Sequence, residues 1–547
     1  MKRLIPALLA AAAVAALPVC AHASATQDSM FQDDNMLEFS DPKDVASTLD
    51  RLKSLGVDRV RVTVFWVAVA PDPTSNTKPK GFDGADPDAY PQAKWERYDT
   101  LAKLAAERGI GVMWDISAPA PDWATGSPKQ RPDLDDVWTP NAKELGDFVT
   151  AVAKRYNGAF IRPDDRPKVV HHPATGVQGL PGYKPAYDTT TPPGPPLPRV
   201  DWWELWNEPN QGAWLAPQWV THKVSGRSQW VANSPRLYRR LADVMYAALQ
   251  ANGHGNDTIL LGATAPKGLN VQGPSRAMKP EIFIRELFCT NRFNEIYKGN
   301  AAKVRGCPTK SALTRFPQLH PVLFHASGFA HHPYELTFSP HTPPPDPRFY
   351  TIANLDKLSY SLKIAYLRYK QTVPSGGVPL YLTEFGYQTN PPDRIGVSLN
   401  KQAAYLDEAE YIAWRNPAVR TLSQFLLRDG GAPISLTFQT GLLFHNGKAK
   451  PSYQAYKLPI WLPKRSFKAH QSVPIWGLIR PAANATAPQV DIMFRRPHGS
   501  AWHRVTTRTA SADRGYLYER IRLPGTGKVR LSWNSQVSRT VTVTQRR

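Results

Sequence analysis

Two glutamates carry the chemistry legible in this chain. Glu208 stands in Glu204-Leu205-Trp206-Asn207-Glu208-Pro209-Asn210, and Glu384 in Tyr381-Leu382-Thr383-Glu384-Phe385-Gly386-Tyr387. Each ends an apolar, aromatic-rich run that reads as a buried strand. A carboxylate at the tip of a core strand costs free energy unless it is paired or used. Two of them in matching contexts, 176 residues apart, point to one site where they converge. Paired carboxylates are the equipment for cleaving a glycosidic bond, one as general acid and the other as nucleophile or base. Trp206 and Pro209 offer Glu208 the low-dielectric setting that keeps an acid protonated near neutral pH. Glu384 has the opposite need, an ionised carboxylate about 5 Å from its partner if configuration is retained. The competing reading of Glu208 is a buried structural ion pair.

Something must hold the two carboxylates together. Apolar strand runs alternate with helical stretches, the pattern of an α/β fold. Strands are predicted over 58–66, 109–115, 200–206, 258–263, 324–331, 379–384 and 419–426. Helices are predicted over 43–55, 95–108, 142–156, 235–251, 354–371 and 401–415. An eighth strand is expected first, near Ala23–Phe31, with Gln27-Asp28 and Asp33-Asp34 at the barrel top. The spacing fits a (β/α)8 TIM barrel, whose sites sit at the C-terminal ends of the strands. Both glutamates fall there.

The two motifs resemble the catalytic signatures of glycoside hydrolase clan A, closest in style to families 39 and 5. In those families an Asn-Glu-Pro ends strand 4 and a second glutamate ends strand 7. The resemblance implies a retaining enzyme that hydrolyses O-glycosyl compounds, with Glu208 as acid/base and Glu384 as nucleophile. It also implies that Asn207 contacts the sugar 2-hydroxyl. Alternation over Val60–Trp66 puts Arg61, Thr63 and Phe65 on one face, and an arginine inside a barrel must find an anion. Arg61 matches the clan's strand-2 arginine, with Arg59 on the same face as its rival. His332-Pro333-Tyr334 resembles the His-x-Tyr pair of family 5, with the tyrosine hydroxyl on the nucleophile. His331 is the alternative reader. Glu204 reads as a structural partner of a core arginine. Strand 8 departs from family 5: Ser423-Gln424-Phe425-Leu426-Leu427-Arg428-Asp429 replaces the usual tryptophan platform. Trp214 is the candidate sugar contact among the tryptophans that follow strand 4.

Length and composition agree. The 547 residues exceed one barrel of about 250 residues, so insertions or a second domain are expected. Sixteen tryptophans serve both a large core and sugar stacking. Proline-rich segments at 183–198 and 339–347 read as semi-rigid loops, the first at the barrel bottom and the second rimming the site. Lys2-Arg3, an apolar run from Leu4 to Val19 and Ala21-His22-Ala23 form a signal peptide over 1–23. Export follows, to a secreted, periplasmic or cell-surface location, and no later segment is apolar enough to span a membrane. Lipidation of Cys20 is the alternative use of that segment. Cys289 and Cys307 remain as an even pair, expected to form a disulfide contributing about 3 kcal/mol. No metal or cofactor is expected.

From Ser466 the helical period gives way to short alternating strands: 489–494, 502–505, 517–521, 529–533 and 540–543. A small β-sandwich is expected over 464–547, after a barrel over 24–463. It resembles bacterial immunoglobulin-like modules. This region holds 16 Lys/Arg against 3 Asp/Glu, a net +13 of the chain's +22. Such a module should attract anionic polysaccharide or an anionic envelope, and general solubility is the competing reading. Nucleic acid is not expected, since no recognition motif is present. The rival functions are a transglycosylase on the same site and a non-catalytic carbohydrate-binding protein, which would not need both glutamates.

Overall fold

The computed structural model describes residues 26–126, 131–224, 226–481 and 487–547; the signal peptide expected over 1–23 lies outside them. Eight parallel strands close into a barrel: β1 (Asp28–Gln32), β2 (Arg59–Phe65), β3 (Gly111–Ser117), β4 (Trp202–Leu205), β5 (Thr258–Thr264), β6 (Gly328–His331), β7 (Leu380–Phe385) and β8 (Val419–Phe425). β1 pairs with both β2 and β8, which completes the ring. Around it run α1 (Pro42–Ser54), α2 (Gln92–Glu107), α3 (Ala142–Arg155), α4 (Ser234–Ala251), α5 (Pro280–Leu287), α6 (Leu355–Arg368), α7 (Leu399–Arg415) and α8 (Pro451–Lys457).

Local sequence explains these elements. Proline opens α1, α5 and α8, where its missing N–H leaves no intrahelical bond unmade. Asn141 caps α3 by accepting from the Lys143 and Glu144 amides at 3.0 and 3.4 Å. The outward valines of β2, Val60, Val62 and Val64, are fully buried in one cluster with Leu49 and Leu52 of α1 and Leu101 of α2. Inside the barrel, Met30, Met113, Leu260, Ala330 and Tyr381 form a separate apolar layer. A polar layer sits one step higher.

Two expectations need correcting. β1 begins at Asp28, so Gln27 and Asp28 lie at the barrel bottom, where the Gln27 amide donates to Ala413 O at 2.9 Å. Only Asp33 and Asp34 stand at the top. The run predicted as strand 324–331 is strand only from Gly328, because Val322–His325 forms a helical turn. The proline-rich stretch before β4 includes an exposed hairpin, Val169–His172 with Tyr187–Thr190. Cys289 and Cys307 form a disulfide. Among the described residues no helix is long and apolar enough to cross a membrane.

The C-terminal region forms two β-sheets. One joins β9 (Ile460–Trp461), β11 (Ser472–Leu478) and β14 (Tyr516–Arg522). The other runs β10 (Ser466–Lys468), β17 (Val541–Arg546), β15 (Gly527–Trp533), β12 (Gln489–Arg495) and β13 (His503–Thr509), with β16 (Gln536–Val537) on β15. Val473, Ile475, Leu517 and Ile521 of the first sheet share a core with Val490, Ile492, Phe494, Val529 and Leu531 of the second. The first sheet faces the barrel: Trp476, Leu478 and Tyr516 pack on Tyr411 and Trp414 of α7.

Arginines from the β-domain satisfy acids of the barrel. Arg514 reaches Asp28 at 2.6 Å and Asp58 at 2.8 Å. Arg480 meets Glu410 at 3.0 Å, and Arg539 donates to Asp407. Burial pushes Asp407 from 3.8 up to about 7, against the pull of Arg539. Folded Asp407 thus keeps a proton that the unfolded chain releases, so its contribution is full below about pH 4 and falls as pH rises to about 7. Arg539→Ala should destabilise the protein by about 3 kcal/mol at pH 8 and by clearly less at pH 5, where Asp407 is neutral. Urea unfolding at the two pH values checks this; equal losses would mean that Asp407 is ionised throughout.

Candidate active site

The polar layer at the barrel's C-terminal end is built around Arg61, whose side chain is fully buried. Its Nη1 donates to Glu384 Oε1 at 2.7 Å and also to Gln32 Oε1; its Nη2 donates to Asn207 Oδ1 at 2.8 Å. Nε donates to Glu204, and Asp115 Oδ2 lies 3.2 Å from Nη2. Thr383 Oγ1 donates to the other Glu204 oxygen at 2.9 Å. Arg59, the rival, lies lower, paired with Asp201 at 2.8 Å and stacked over Trp202.

Three carboxylates around one guanidinium cannot all stay charged in a dry interior. Asp115 has no hydrogen-bond partner on either oxygen. Burial holds it well above the ordinary carboxylate range, and the Glu204 and Glu384 charges add to that against Arg61. That upward shift disfavours a third negative charge on Arg61 beside Glu204 and Glu384.

Glu208 is aimed by backbone strain and a bulge. Trp206 and Glu208 have φ of 78° and 35°, left-handed values that a non-glycine side chain resists. The turn points Asn207 down at Arg61 and Glu208 across the barrel mouth. Its amide donates to Ala263 O at 3.0 Å, a carbonyl set by an irregularity in β5. Gly262 there has φ 112°, and a Cβ would meet the Phe329 ring at 2.6 Å, so glycine is required. Asn210 ties the loop to the next one, accepting from Ala265 N at 2.8 Å and donating to Met278 O at 2.9 Å.

His332 bridges the pair. Its Nδ1 is 2.9 Å from Glu208 Oε1 and 3.5 Å from Glu384 Oε2. Burial opposes its charge, but Glu384 and Glu208 outweigh this and raise its pKa above 6.5. Tyr334 OH donates to Glu384 Oε2 at 3.0 Å. Glu384 itself is shifted upward by burial, with His332 and Arg61 pulling against that. His331, the alternative reader, turns away: it bonds Thr264 and Tyr350 O at 2.8 Å each, and burial pushes it down to about 3. One ligating atom each from Glu208, His332 and Glu384 lie within 4.8 Å of one another. By donor type the trio could also grip a divalent cation.

Above these groups opens a cavity of about 390 Å³. Trp214 forms part of its wall, as do Asp34, Lys267 and Leu336. Phe425 and Phe438, ring centroids 5.4 Å apart, also line it. Trp66, Trp114 and Trp206 are fully buried core residues. All the expected site residues, Glu208, Glu384, Arg61, Asn207, His332, Tyr334 and Trp214, come together here. Sequence reasoning missed Gln32, Asp115 and Phe438 as members. Asp115 carried the same signal as the glutamates, an acid at the tip of an apolar run.

No family model matches the chain, and no curated protein matches it. Solved structures do. A family 39 glycoside hydrolase from Bacteroides cellulosilyticus WH2 is 14% identical, with 90% of this chain and 79% of that one covered, at a TM-score of 0.44. A glucosidase from Croceicoccus marinus is 12% identical over 85% and 77% of the two chains, at 0.42. An endo-beta-1,4-mannanase from Thermotoga petrophila is 11% identical over 96% and 99%, at 0.37. The chemistry of this site rests on its own side chains.

Asp115→Asn should change stability by less than about 1 kcal/mol, since burial and the neighbouring carboxylates already disfavour the Asp115 charge. Arg61→Leu should cost at least about 3 kcal/mol by stranding Glu204 and Glu384. Denaturant unfolding of both variants is the check; comparable losses would mean that Asp115 is charged.

Proposed function

We propose that the chain is a retaining glycoside hydrolase acting on O-glycosyl bonds, with Glu208 as acid/base and Glu384 as nucleophile. The observation that carries this is the meeting of two glutamates from β4 and β7, with oxygens within 4.8 Å, at the C-terminal mouth of the barrel. That approach suits the close carboxyl spacing of retaining enzymes, about 5–5.5 Å, better than the roughly 6.5–9.5 Å of inverting ones. Glu384 attacks the anomeric carbon as the bond to the leaving oxygen breaks, and Glu208 gives that oxygen its proton. Water then attacks the same carbon, Glu208 takes a proton back, and Glu384 leaves.

The surroundings support these roles. Arg61 and Tyr334 donate to Glu384, and His332 Nδ1 lies 3.5 Å from it, which favours its ionised form against burial. His332 Nδ1 lies 2.9 Å from Glu208 Oε1 and 3.5 Å from Glu384 Oε2, so one imidazole faces both carboxyls, and they raise its pKa. Asn207 is held by Arg61 beside the nucleophile, where it can read a sugar hydroxyl. Trp214, Phe425 and Phe438 supply apolar wall. Secretion by the N-terminal signal peptide, and attraction of an anionic polymer by the basic C-terminal region, belong to the same proposal. A transglycosylase would use the identical site with a sugar hydroxyl in place of water.

The test is a screen against aryl β-glycosides (glucoside, xyloside, mannoside, galactoside, arabinoside) and intact polysaccharides, followed by variants. Glu384→Ala should lower kcat by at least about 10⁴-fold, and azide should restore turnover with the opposite anomer as product. Glu208→Ala should spare activated aryl leaving groups in the glycosylation step and lose poorer ones. Near-native rates in both variants would move the site elsewhere.

A further inference from the structure

The second C-terminal sheet turns one face to its core and the other away from the barrel. Along β12 and β15, Val490, Ile492, Phe494, Val529 and Leu531 are buried. The alternate residues Arg495, Lys528 and Arg530 therefore share the outer face. The register sets Arg495 directly opposite Lys528, and like charges facing across a strand pair are destabilising. Arg530 is two residues further on, the same side up. The guanidinium groups of Arg495 and Arg530 lie over the Trp502 ring, 4.9 and 4.1 Å from its centroid. The indole thus holds two cations close together.

Among the described residues, none of the three makes an ion pair, and Arg530 Nε is buried without a partner. The nearby acid, Asp491, is engaged, accepting from Thr507 Oγ1 at 2.5 Å and lying 3.6 Å from Arg504. Burial and the Arg495 charge both hold Arg530 below its ordinary value. Three unbalanced cations on a flat, open sheet face form a row that a repeating anion would neutralise, relieving the repulsion that the register imposes.

We propose that this face binds an anionic polysaccharide, a glycan bearing carboxylate or other acidic groups along its chain, and so tethers the barrel to its polymer. The choice of a glycan over other polyanions rests on the glycosidase reading of the barrel. Trp502 is occupied by the two arginines, so it offers no free platform for the base stacking that single-stranded nucleic acid uses. Beside the three cations lie Met493, opposite Arg530, and the arginine-covered Trp502, not the broad apolar helix face that inserts into a lipid surface.

The full chain should be titrated with polygalacturonate as the anionic glycan, with dextran as neutral control, and with duplex DNA and phosphatidylglycerol vesicles as rival polyanions. The triple variant R495Q/K528Q/R530Q is compared with R51Q/R520Q/R522Q, which removes the same charge elsewhere. The face variant should weaken polygalacturonate binding about tenfold or more at low salt and flatten its salt dependence, and the control should change it less than about twofold. Thermal unfolding of the face variant should be unchanged or slightly higher, because a like-charge pair is gone. Lys528→Gln alone, expected to weaken binding about threefold, repeats the test with minimal disturbance. Equal losses in both triple variants, no loss in either, or tighter binding of DNA or vesicles than of polygalacturonate would overturn the proposal. If no glycoside is cleaved while this binding pattern holds, the barrel reading fails and the binding face stands.

Discussion

A guanidinium sealed inside a barrel obliges the strands around it to supply its anions, and the arrangement of this site follows from that. Arg61 on β2 draws Gln32 from β1, Asp115 from β3, Glu204 and Asn207 from β4 and its flank, and Glu384 from β7. One side chain thus reads the height of five of the eight strands. Such a buried network adds little net stability relative to apolar packing, but breaking it is expensive. Its effect is positional: a slip of any one strand would strand a charge.

The second constraint is conformational. The chain leaves β4 through two left-handed residues, Trp206 and Glu208, and crosses to the bulged carbonyl of Ala263, itself at φ 43°. Strain of this kind survives only where its surroundings over-determine it. Here the Trp206 indole donates to Trp214 O at 3.0 Å and Ser117 Oγ accepts from the Asn207 amide at 2.9 Å. The same bonds that hold the strained turn also place Trp214 on the cavity wall.

Much of this was written locally. Glu208 and Glu384 were legible because each combines a rare event, an acid at the tip of an apolar run, with a short motif. The barrel was legible because strand and helix periods alternate over 400 residues. What was not legible depends on register between strands far apart. Nothing in the sequence around Asp115 says that it faces Glu204 across the β3–β4 pair. The choice of His332 over His331 turns on which of two adjacent side chains points inward, and the β5–β6 register shifts at that point. β1 was misplaced because the alanine-rich sequence before it runs into it without punctuation. β11 escaped notice because Pro474 and Gly477 interrupt its pattern; they are tolerated because β11 pairs along its length with β14 while only its far end meets β9.

The ring of strands is closed by its two ends in the chain. Asp28 of β1 accepts at its carbonyl from the Thr421 hydroxyl, 393 residues away, and its carboxylate from Arg514, 486 residues away. A polypeptide emerging from the ribosome therefore exposes one edge of its first strand until β8, ending at residue 425 of 547, has been made. The carboxylates of α7 wait longer still, for arginines up to residue 539. Contacts this distant in sequence make for slow, late and concerted folding, with an open strand edge as the hazard along the way. Closing β8 onto β1 also seals Arg61 from water, so the polar layer and the finished barrel come into being together.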